Sequence, residues 1–157
     1  MLLETIVYVS VLTGPARTPD GVTEFTAVLR RQMQVLDITG AFTTCDNLGV
    51  HVAQGASASI DRLMVLVEAG FWQTETRVLE RSTIKARDFH HWERLDTRLF
   101  GAEMQWLREQ LAHPSAPVEP IRALLTWAAS RQMEREADGF SETSGASFQP
   151  TALNRLH

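Results

Sequence analysis

Few residues in this chain have the types and spacing that chemistry needs. Tyr8 and Ser10 alternate along an apolar run, His51 lies in a second such run, and His90 and His91 are adjacent. The segment Gly14-Pro15-Ala16-Arg17 is the one place where a loop leads to an arginine that could meet a phosphate. Acyl-phosphate hydrolysis needs preorganised donors around the developing charge. This loop lacks a glycine-rich cradle, so a small acylphosphatase-like hydrolase is only a remote alternative. Metal binding needs several ligands at defined spacing. His51 has no partner at such spacing, and the His90-His91 pair reads as facing solvent. No nucleophile with a nearby base is legible elsewhere. The expectation is therefore no catalytic residues, no metal and no enzyme.

Cys45 is the single cysteine, so no internal disulfide can form. A reducing compartment is expected, with Cys45 packing as a small apolar strand residue. The net charge of −4 gives no reason to expect nucleic acid or an anionic membrane as partner. The start, Met1-Leu2-Leu3-Glu4, has no basic leader pattern. No apolar run approaches the roughly 20 residues of a membrane helix. The localisation expected is cytoplasmic. At 157 residues the chain can bury one core without staples.

The elements that must position these residues follow from periodicity. Residues 5–12 are rich in β-branched side chains and apolar on both faces, which predicts a central strand covered on two sides. Ile6, Tyr8 and Ser10 point one way, and Val7, Val9 and Val11 the other. After the 14–21 loop, Thr18-Pro19-Asp20 opens a helix with Thr18 as N-cap. Val22, Phe25, Val28, Leu29, Met33 and Leu36 form its apolar stripe, leaving Arg30, Arg31 and Gln34 outside. Residues 37–45 and 48–53 predict a hairpin turning within Asp46-Asn47-Leu48-Gly49, with Gln54-Gly55 ending the second strand. Ser57 is read as the cap of a helix that reaches residue 69, with Gly70 as its stop. Strands are expected at 76–81 and 92–98 around an 84–92 loop. Helices at 102–112 and 118–137 follow, and a Ser-, Thr- and Gly-rich flexible tail from 139 to 157. The order β-α-β-β-α-β-β is an α+β, ferredoxin-like pattern with a mixed five-stranded sheet. The first two helices should cover one face and the C-terminal pair the other. Trp106 and Trp127 fall off the C-terminal apolar stripes; they are expected at a partner or self-association surface, the alternative being that both complete the core.

Four pieces of this sequence, in order, resemble the BLUF family of blue-light sensors that use FAD. They are Tyr8-Val9-Ser10 on the first strand, Ile38-Thr39-Gly40 after the first helix, Gln54-Gly55 before the second, and the run from Thr83 to Trp92. That last run is similar to the family's Pro-Ile-x-x-Arg-x-Phe-x-x-Trp, with Thr83 replacing proline. The resemblance covers about residues 4–98. It implies a BLUF-like domain over 1–98 and a C-terminal helical cap of the same domain over 99–138.

What the resemblance implies for a flavin site is uneven. Tyr8 matches the photoactive tyrosine, or is a buried strand tyrosine with a satisfied hydroxyl. The ring-holding asparagine falls on Met33, with Gln32 before it. The switching glutamine falls on His51, read as partly buried and bonded to Tyr8. Trp92 matches the family's tryptophan. The phosphate-holding positions fall on Phe71, Trp72 and Gln73, where charge is missing, although Arg30 and Arg31 could compensate. An amide matches the donor–acceptor edge of a flavin, whereas a thioether is only a weak acceptor. No bound cofactor is therefore expected, with Phe25, Met33 or Trp72 filling the slot. FAD would be the cofactor of the alternative, a working photoreceptor. The function expected is sensory regulation through another regulatory protein, with a homo-oligomer possible and no nucleic acid or membrane partner.

Overall fold

A computed structural model describes residues 2–137, and the expected tail lies outside them. The β-branched run at the start forms β1 (Leu3–Leu12). A short 3-10 turn (Gly14–Arg17) leads into α1 (Pro19–Leu36), where the Thr18 hydroxyl accepts the Gly21 N–H and so caps the helix. The hairpin follows as β2 (Thr39–Cys45) and β3 (Leu48–Ala56), then α2 (Ser57–Glu68), β4 (Gln73–Ile84) and β5 (Trp92–Arg94). A 3-10 turn (Thr97–Leu99), α3 (Ala102–Leu111) and α4 (Val118–Ala137) complete the order. The five strands lie in the order β4-β1-β3-β2-β5, antiparallel except where β5 joins β2 in parallel. This is the expected α+β, ferredoxin-like sheet with a fifth strand added at one edge.

Because β1 and β3 are central, both of their faces are covered. On one face Ile6, Tyr8, Phe42 and Ala53 pack under Phe25, Leu29 and Met33 of α1 and Ile60 and Leu63 of α2. On the other, Val7, Val9, Val50 and Val52 pack under Leu107 of α3 and Ile121, Leu124 and Leu125 of α4. Each Val, Leu, Ile, Phe or Met side chain among these, fully buried, stabilises the fold by about 1.5–3 kcal/mol. Val11, expected beside Val7 and Val9, is only half-buried. Trp106 and Trp127 are also half-buried and pack against the second cluster, so they complete this core and are not the exposed anchors their positions suggested. Among the described residues no helix is long and apolar enough to cross a membrane.

Several boundaries differ from the sequence reading, each for a local reason. Asp37 does not begin β2. It sits at φ 53° and ends α1, its N–H bonding back to the Gln34 carbonyl. Gln54-Gly55 does not end β3, which pairs with β1 through Ala56. Ser57 is not the cap of α2; Ala56 holds that position and makes no side-chain cap bond. Gly70 follows the helix without a left-handed φ, and is small because a Cβ there would lie 2.6 Å from the Val67 carbonyl oxygen. β4 is longer than expected at both ends. It accommodates register shifts against β1, with Glu75 at φ 49° near one of them. β5 stops at Arg94 because Gln132 of α4 takes over the backbone: its amide donates to the Arg94 carbonyl (2.9 Å) and accepts the Asp96 N–H (2.7 Å).

The glycine of Ile38-Thr39-Gly40 has a strict physical cause. Gly40 lies at φ +152°, and a Cβ there would stand 2.0 Å from the Val52 carbonyl oxygen. Gly40→Ala should destabilise the protein by about 2 kcal/mol or more, read from the urea unfolding midpoint. An unchanged midpoint would show that β2 can move away from β3 at no cost.

Candidate functional site

Strand register assembles the site. Tyr8 on β1 lies opposite His51 on β3, and His51 lies opposite Phe42 on β2. Opposed residues project from the same face with their side chains side by side. The rings therefore stack: Tyr8 on His51 at 4.4 Å and 6°, His51 on Phe42 at 4.6 Å and 22°. Trp92, at the start of β5, continues the row at 6.4 Å from Phe42. From α1, Phe25 meets Phe42 edge-on at 5.7 Å, and Trp72 lies over Phe25 at 5.8 Å. Met33 is 1% exposed in the same cluster. The residues expected to fill this space, Phe25, Met33 and Trp72, all pack into it.

The polar atoms of this stack are few and buried. His51 donates from Nε2 to Gln73 Oε1 at 3.1 Å. His51 Nδ1 and the Tyr8 hydroxyl are buried and have no partner among the described residues. The expected Tyr8–His51 hydrogen bond is absent. Face-to-face rings on directly opposed strand positions keep the phenol oxygen and the imidazole nitrogens from converging. Burial disfavours charge on both groups. It pushes the Tyr8 phenol up, and the His51 imidazolium down to about 3 against the single opposing influence of Gln73.

The structure thus brings Tyr8, Met33, His51 and Trp92 together. Arg30 stands at the margin, its guanidinium 5.8 Å from the Trp92 ring centre in cation–π range. Gln32 does not reach the stack. It is half-buried and lines an outer groove with Arg31 and Val35. Of the supposed phosphate positions, Phe71 is exposed, Trp72 packs on Phe25, and Gln73 lies inside as the partner of His51. Gln73 as the partner of His51 was not foreseen, because β4 begins there, earlier than its β-branched residues suggested.

A second polar cluster shows why the separated motifs belong together. Gln54 accepts the Asp88 N–H at 2.7 Å and donates to the Asp88 carboxylate at 2.8 Å and to the Thr5 hydroxyl at 3.3 Å. Arg87 donates to the Thr39 hydroxyl and the Gln54 carbonyl, both at 3.2 Å, and pairs with Asp37. Residues 83–92 are thereby pinned to the end of the sheet, which sets Trp92 beside Phe42. The remaining candidates assemble no chemistry. Arg17 is exposed on its 3-10 turn, and His90 and His91 are exposed, with His91 against Glu93. No group able to hold a metal ion is found among the described residues. Cys45 is buried, and burial first, then the Asp46 charge, pushes its thiol up, away from reactivity.

Comparison with known proteins agrees with this fold. The profile of the BLUF family, described as sensors of blue-light using FAD, matches residues 3–94. No curated protein matches the chain. Among solved structures, BlrB, a BLUF protein in its dark state, superposes with TM-score 0.61 at 22% identity, covering 82% of this chain and 97% of that one. Klebsiella pneumoniae BlrP1, in a complex with manganese and cyclic diGMP, gives 0.58 at 24% identity, covering 83% of this chain and 33% of that one. A bacterial light-regulated adenylyl cyclase gives 0.53 at 18%, covering 87% and 36%. At these identities the structural likeness is one of fold.

Burial of His51 predicts a pH dependence. The unfolded imidazole titrates near its ordinary 6.5 and the native one near 3, so the unfolded state binds the extra proton between them. Stability is full above about pH 6.5 and falls as pH drops toward 3, with a slope of up to about 1.4 kcal/mol per pH unit from this group. Urea unfolding across that window should show the slope in wild type and its loss in His51→Gln. Equal slopes in both proteins would mean that His51 is protonated in the native state.

Proposed function

The chain belongs to the BLUF family, and on that basis we propose that it is a sensory regulator that keeps the scaffold, works without bound flavin and acts by binding another regulatory protein. The observation that carries this reading is the identity of the α1 side chain facing the ring stack. Met33 is buried there, while the neighbouring amide of Gln32 lines the outer groove. A flavin edge presents carbonyl, N–H and carbonyl in one plane, and a thioether cannot answer that pattern. Each ring group left unpaired in a dry site costs about 1–3 kcal/mol, or roughly one to two decades of affinity. Two further features support the reading. His51 stands where the family's glutamine would act and is engaged by Gln73. The phosphate positions carry exposed Phe71 and packed Trp72 instead of cations. The donor set therefore does not fit the flavin.

A second reading, a working FAD photoreceptor, is favoured by one observation. The Tyr8 hydroxyl and His51 Nδ1 are buried polar atoms without partners, and a ligand edge could satisfy both. Bound flavin decides between the two. On titration with FAD, wild type should show no stoichiometric quenching of flavin fluorescence at micromolar protein. Met33→Asn/His51→Gln should gain about tenfold or more in affinity. Stoichiometric micromolar binding by wild type would sink the flavin-free reading and establish the photoreceptor.

A further inference from the structure

The outer surface of α1 and α2 holds a groove of about 440 Å³ lined by Arg31, Gln32, Val35, Leu36, Arg62, Val65 and Leu66. Its apolar rim is unusually open: Val35 is 82% exposed, Val65 67% and Leu66 42%. These positions come from the solvent side of each helix. Arg31 and Val35, and Arg62 and Leu66, are one helical turn apart, so each wall carries an aliphatic side chain and a guanidinium on one face. Both arginines are exposed, and neither has a partner among the described residues. By contrast Arg81, Arg87, Arg98, Arg108 and Arg122 are all paired with carboxylates.

We propose that this groove docks an acidic amphipathic helix of a partner protein, with the partner's aliphatic stripe between Val35 and Leu66 and its flanking carboxylates on Arg31 and Arg62. The proposal rests on the reading of the chain as a protein-binding regulator and assigns that reading its surface. Charge complementarity selects the occupant. Exposed aliphatics attract any apolar segment, but two free guanidiniums beside them favour carboxylates and reject a basic helix. The planar donor fork of arginine suits bidentate carboxylate recognition. A second copy of this chain placed face to face would bring the same arginines together and is disfavoured.

The test uses the full chain and a fluorescein-labelled helical peptide of about 18 residues, with leucines along one stripe and glutamates on both flanks. A second peptide carries lysines in place of the glutamates. Fluorescence anisotropy should show the acidic peptide binding wild type, and binding Arg31→Glu/Arg62→Glu at least about tenfold more weakly. The basic peptide should show the reverse order. Val35→Ser/Val65→Ser, which removes exposed methyl groups and leaves the core intact, should also weaken the acidic peptide. Failure of the acidic peptide to bind wild type, or binding that neither double variant changes, overturns the proposal. So does self-association that Arg31→Glu/Arg62→Glu abolishes in sedimentation, because the groove would then belong to a second copy. Added FAD separates this failure from failure of the underlying reading. Displacement of the peptide by FAD would overturn both, whereas absence of peptide binding together with absence of FAD binding would remove the groove assignment alone.

Discussion

The pairing of β1 with β3 is the constraint on which the rest of this molecule depends. The two strands occupy the interior of the sheet, so both faces of each are buried. The register that places Tyr8 opposite His51 also places Val7 opposite Val52 and Val9 opposite Val50. A slip of β1 by one residue against β3 would send Tyr8 to the α4 face and Val7 and Val9 to the α1 face. Neither cluster could then close. The same register stacks the rings, so the candidate site is a consequence of the core and not a graft on it.

That site is electrically quiet. Desolvation keeps the Tyr8 phenol protonated and the His51 imidazole neutral across the ordinary pH range. A stack without charge can change state through packing or through its one hydrogen bond, His51 to Gln73. Gln73 sits on β4, opposite Leu12 of β1. His51 is thereby tied through Gln73 to the edge strand of the sheet.

Mechanical continuity from the sheet to the C-terminal helices runs through two amides. Gln54 pins Asp88, and so holds the segment that carries Trp92. Gln132 on α4 takes the place of a backbone peptide at the end of β5, joining Arg94 and Asp96. Arg122 of α4 is ion-paired with Glu80 on β4, at the opposite edge. The two edge strands are thus tied to α4 by side chains, whereas the central strands meet the C-terminal helices through apolar packing.

Periodicity determined much of this protein. The two-sided apolar run of β1, the stripe of α1 from Val22 to Leu36 and the hairpin at Asp46-Asn47 are local patterns, and local patterns survive in one dimension. So did the motif order that marks the family, and the inward face of Met33, which helical spacing alone assigns. The sequence could not say which partners polar side chains would choose. Asp37 as a helix end, Gln73 as the mate of His51 and Gln132 as a stand-in for strand backbone were settled by how the chain folds around them. Tyr8 stacking on His51 instead of bonding to it depends on the relative orientation of two rings on opposed strands. The half-burial of Trp106 and Trp127 depended on where α3 and α4 lie over the sheet. Hydrophobic burial is a property of each segment's own pattern and is legible there; hydrogen-bond partners and ring geometry are properties of pairs, and only the assembled fold brings the pairs together.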